Sequence, residues 1–160
     1  MRPTLTFTVV EPRGIEHPMI AGQVARLTDQ PILGSLNSLR GQLVVIEDAH
    51  RHNTDGPLWL TILGTTRSDA TMRPGTPVQC VMRADETDRL IAEWLPGTIR
   101  ARQCLSMEHI DRRSCYVVTH SPLGGESITV HVDGPAERAA SHAWAMYDEH
   151  TTPTLIPTAR

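Results

Sequence analysis

Asp48, His50 and His52 stand at alternate positions just after an apolar run that ends at Ile46, and in an extended chain alternate side chains leave from one face. A carboxylate and two imidazoles gathered in this way suit a divalent transition metal, zinc, nickel or nonheme iron, with a bound water as nucleophile. His109, Asp111, His120 or His131 would then complete the ligand set from an adjoining strand. Against a metal stands the polarity of 48–57, which reads as an exposed hairpin loop where Asp and His are ordinary. A His-x-His pair without a spaced third ligand is a pattern of low specificity.

Other chemistries find less to work with. Nucleophilic catalysis needs a nucleophile beside a base and a group that orients the base. No Gly-x-Ser-x-Gly turn is present, and Cys104 and Cys115 neighbour His109 and His120 only in sequence. The three cysteines, Cys80, Cys104 and Cys115, are odd in number and lack zinc-knuckle spacing, so they are expected to be buried free thiols of a reducing compartment. Gly124-Gly125 has neither the P-loop ending nor dinucleotide spacing and is expected to be a hairpin turn.

Arg100 and Arg102 alternate on one strand and Arg112-Arg113 follow in the next turn, a stripe that would meet nucleic acid or an acidic partner. A net charge of -3 and only 4% aromatic residues weigh against a broad phosphate footprint and against base stacking. Trp94 and Trp144 fall on apolar helical stripes and are expected to pack in the core. Trp59 alternates with Leu58 and Leu60 and is the better interface anchor.

The elements that must position these residues are short and strand-rich. Thr alternates with Leu5, Phe7 and Val9 in a half-buried strand that Pro12 and Gly14 end. Met19, Ile20, Val24 and Leu27 fit a short helix opened by Pro18, the preferred reading, although Gly22 to Leu27 also reads as extended; Ile32, Leu33, Leu36 and Leu39 fit another helix, closed by Gly41. Strands are expected at 43–47, 58–63, 78–83, 99–107, 115–119 and 128–132. A helix over 85–95 carries Leu90, Ile91, Trp94 and Leu95 on one face, and a last helix over 134–149 has an alanine face.

The fold class is therefore α+β, an antiparallel-rich sheet or partial barrel of about six to seven strands with two main helices. The order is consistent with a duplicated β-β-β-α unit, 41–96 and 97–149, inside one domain over 1–150. Residues 151–160 form a Thr/Pro arm whose apolar pair is Leu155 and Ile156. Fifteen arginines without a lysine read as GC-rich coding of bacterial or phage origin. The first ten residues lack the pattern of a signal peptide and no apolar run is long enough to span a bilayer, so the expected address is the cytoplasm. With no catalytic motif, the sequence reads as a non-catalytic interaction or assembly subunit without a cofactor, binding itself or another protein through sheet edges, Trp59, Leu155 and Ile156. A metal enzyme and an Arg-mediated nucleic-acid binder are the alternatives.

Overall fold

The computed structural model describes residues 6–10, 16–51, 55–66, 77–104, 115–122 and 125–151. Strands β1 (Thr6–Val10) and β2 (Glu16–Ile20) pair as an antiparallel hairpin, with Thr6 opposite Ile20. The helix expected from Met19 to Leu27 is instead the end of β2, a turn at Ala21-Gly22 and strand β3 (Gln23–Leu27). Val24 and Ala25 are both fully buried. In an extended chain successive side chains leave from opposite faces, so the burial of both gives β3 a core on each side.

Seven further strands follow: β4 (Leu43–His50), β5 (Trp59–Thr65), β6 (Pro77–Arg83), β7 (Ile91–Trp94), β8 (Ile99–Gln103), β9 (Cys115–His120) and β10 (Ile128–Asp133). With β3 they make one open antiparallel sheet in the order β10-β9-β8-β3-β4-β5-β6, and β7 lies beside β3, end to end with β8. The chain is thus α+β with an antiparallel sheet, and the sheet has eight strands where six to seven were expected.

Two clusters of buried side chains lie on opposite faces of this sheet. The first joins Leu27, Val44, Ile46, Leu60, Ile62, Cys80 and Met82 with Leu36 and Leu39 of a 3-10 helix, Gly34–Leu39, and with Leu90 of α1 (Thr87–Leu90). The second joins Val24, Val45, Leu63, Ile99, Tyr116 and Val118 with α2 (Ala136–Thr151). Ala136, Ala139, Ala140 and Ala143 give α2 the small-residue face expected of it, and all four are buried. The other expected helix, over 85–95, shrinks to α1. From Ile91 onward the chain pairs with β3, and Ile91 and Leu95 enter different clusters. Trp94 therefore sits on a strand, not at a helical position equivalent to Trp144. Three-strand meanders occur in both halves, β4-β5-β6 and β8-β9-β10, but only the second is closed by a long helix.

Cys104 and Cys115 form a disulfide, directly opposite each other at the ends of β8 and β9, which corrects the expectation of three free thiols. Sequence spacing hid the pair because the register of two strands decides it. Cys80 alone is free, and it is buried. Among the described residues no helix is long and apolar enough to cross a membrane.

Candidate interaction face

Alternation along β4 is broken once. Ile46 pairs with Ile62 of β5, yet Asp48 pairs with Thr61, so Glu47 is the extra residue of a bulge. A bulge of this kind reverses the faces of everything beyond it. Without it Asp48 and His50 would follow Val44 and Ile46 into the first cluster. With it they emerge on the α2 side of the sheet, while Ala49 turns inward against the first cluster.

The rows beyond the bulge are read directly from the pairing. His50 lies opposite Trp59, and Trp59 opposite Arg83. One row along, Asp48 meets Thr61, and Thr61 meets Val81. Asp48, His50, Trp59, Val81 and Arg83 thus share one face at the β6 end of the sheet. Thr61 is buried at its centre, Trp59 is half-buried, and Val81 is 50% exposed. Asp48 Oδ1 and His50 Nδ1 lie 3.8 Å apart, and Arg83 Nη2 donates to Asp85 Oδ2 at 2.8 Å. Charges of both signs therefore border a central apolar strip.

The residues singled out in sequence fall unevenly on this face. Asp48, His50 and Trp59 come together here; His52 lies outside the described residues. His120 and His131 cannot join them as ligands. They stand on β9 and β10, with β8 and β3 between them and β4, and at about 4.8 Å per strand that is roughly 14 Å or more away. No group of three or more candidate ligands gathers among the described residues. His109, Asp111, Arg112, Arg113, Leu155 and Ile156 lie outside the described residues. Arg100 and Arg102 do share a face of β8, opposite Thr119 and Val117, on the side away from α2.

Val81 and Arg83 escaped the sequence reading. Their importance depends on β6 being the outermost strand, a fact of strand order that no local pattern carries. One signal was present nonetheless. On β6, Cys80 and Met82 alternate with Gln79, Val81 and Arg83, so Val81 is the lone apolar residue on a polar side.

Compared with models of protein families, with curated proteins and with solved structures, the chain matches none.

Proposed function

We propose that this chain is a non-catalytic assembly subunit whose edge strand β6 pairs with β6 of a second copy, continuing the sheet across a two-fold axis. The observation that carries the reading is the half-exposed Val81, next to the middle of a seven-residue strand whose outer side pairs with no other described strand. Unpaired backbone groups on such an edge recruit another strand.

The sequence of β6 suits its own copy. A two-fold axis perpendicular to the sheet and passing at Val81 sets Val81 against Val81, Gln79 against Arg83 and Cys80 against Met82. No like charges meet, and Cys80 with Met82 extends the first apolar cluster across the junction. Pro77 has no N–H to give and marks where pairing stops. The other open edge, β10, is less suited, because Asp133 and His131 lie along it.

Sedimentation of wild type against Val81→Lys tests the pairing. The wild type is expected to be dimeric and the variant monomeric, with the circular dichroism of the folded chain retained. Opposed residues of an antiparallel pair lie about 4.5–5.5 Å apart, within disulfide range, so Val81→Cys should cross-link under mild oxidation. A wild type that stays monomeric at high concentration, with no cross-link in Val81→Cys, overturns the proposal. Deleting residues 151–160 measures what the arm bearing Leu155 and Ile156 adds.

A second reading, a small metal-dependent enzyme, is favoured by Asp48 and His50 standing together on one face. His52 would be their third partner around a divalent transition metal. Zinc titration of wild type and His50→Ala decides it, since uptake that is absent, or equal in both, ends this reading. The cytoplasmic address is likewise a proposal, and the Cys104–Cys115 disulfide weighs against it, because such pairs are kept reduced there. Alkylation before and after reduction, on protein taken from its source, reads the state of the pair.

A further inference from the structure

Away from the β6 face, β3 carries a second irregularity. Arg26 pairs with Glu93 of β7 but Leu27 pairs with Ile91, so Ala92 is an extra residue at this point. Beside it the chain leaves the 3-10 helix through Arg40 and turns back at Gly41, whose φ of +74° favours glycine. Between bulge and turn opens a cavity of about 380 Å³, lined by Arg26, Asp29, Arg40, Gly41, Gln42 and Ala92, with Leu27 at its base.

Two guanidiniums line this cavity, and both are anchored by the backbone. Arg26 donates from Nη1 to Gly41 O at 3.3 Å and from Nε to Glu93 Oε1 at 3.2 Å, and it stacks on the Trp144 ring at 5.5 Å. Its Nη2 has no hydrogen-bond partner among the described residues. Arg40 donates from Nη1 to Asp29 O at 2.8 Å. The carboxylates nearby are the more exposed partners. Asp29 is 73% exposed against 25% for Arg40, and Glu93 56% against 38% for Arg26. Asp29 Oδ1 and Arg40 Nη1 lie 4.0 Å apart. Exposed pairs of this kind hold weakly, so the carboxylates swing into water at little cost while the backbone bonds and the indole keep the arginines in place.

We propose that this cavity binds a small tetrahedral dianion, inorganic phosphate or a phosphate monoester, on Arg26 and Arg40. A guanidinium fork matches the oxygens of such a group and keeps its charge at any physiological pH. The cavity is ample for a phosphate and leaves room for the organic group of a monoester.

Calorimetric titration of the full chain with inorganic phosphate, glycerol phosphate and succinate, at constant ionic strength, tests the site. Binding of either phosphate is expected, with succinate weaker. Glycerol phosphate binding above inorganic phosphate identifies the monoester as the ligand, and the reverse identifies the free ion. Arg40→Gln and Arg26→Gln should each weaken the tighter phosphate by about tenfold or more. Asp29→Asn, which removes the competing carboxylate, should strengthen it. That opposite sign is what a merely structural role would not give, and it reads the site even where an arginine variant fails to fold. No heat with either phosphate, or an affinity that none of the three substitutions moves, overturns the proposal.

Discussion

Gly22 is fixed from three directions. Its φ is +91°, its N–H donates to Ile46 O at 2.7 Å, and its carbonyl accepts from the Ala101 N–H at 2.8 Å. The Arg102 side chain fills the space a Cβ would need. Gly22→Ala combines a left-handed backbone with a clash and should cost about 1–2 kcal/mol, read as a lower denaturant midpoint at unchanged m-value. Glu47 shows the same dependence on backbone geometry. Deleting it removes the bulge and turns Asp48 and His50 toward the first cluster, where an unsatisfied polar group costs about 1–3 kcal/mol. A chain that keeps its wild-type midpoint after this deletion would contradict the reversal of faces. The alternation of Asp48 and His50 was legible from residues alone, as was their common face. Which face they share was not, because it rests on one bulged residue of β4 whose side chain gives no sign of it.

Elements were legible where one side of the chain is buried and the pattern has a single period. Strands β8, β9 and β10 and helix α2 are of that kind: Ala136, Ala139, Ala140 and Ala143 repeat at helical spacing and all meet the sheet. Close approach through alanine leaves no room for growth. Ala140→Leu should therefore lose about 1–3 kcal/mol in thermal or chemical unfolding, whereas Ala145→Leu on the exposed side should stay near wild type. Where pairing within the sheet overrides a stripe the same reasoning misleads. Met19 to Leu27 and Leu90 to Leu95 each mimic a helical stripe by spacing, yet in both the strand pairing of β3 decides the outcome. The disulfide joining β8 to β9 is another product of pairing. It closes a loop with a sequence separation of 11, so Cys104→Ser with Cys115→Ser should lower stability by about 2–3 kcal/mol. The same loss on reducing the wild type, absent in the double variant, would assign it to the bond itself.

One sheet serves two cores, and that arrangement governs how the whole molecule should respond to damage. Strands β3, β4 and β5 each send neighbouring residues to opposite sides: Val24 and Ala25, Val45 and Ile46, Leu63 and Ile62. Neither cluster can come apart without moving strands that wall the other. Local opening of one core alone would leave these strands half exposed, so the two clusters should unfold as a single cooperative unit. Leu60 lies in the first cluster and Val118 in the second, separated in the sheet by β4, β3 and β8. Leu60→Ala should cost about 2–5 kcal/mol. Native-state hydrogen exchange gives the decisive comparison, at denaturant concentrations where large-scale opening outruns local fluctuation. In Leu60→Ala the exchange free energy of the Val118 amide should fall by the same amount as that of Ile62, which flanks the deleted side chain. A Val118 amide that keeps its wild-type protection while Ile62 loses its own would mean that the halves melt separately. The shared strands would then be a hinge between two cores and not a common wall.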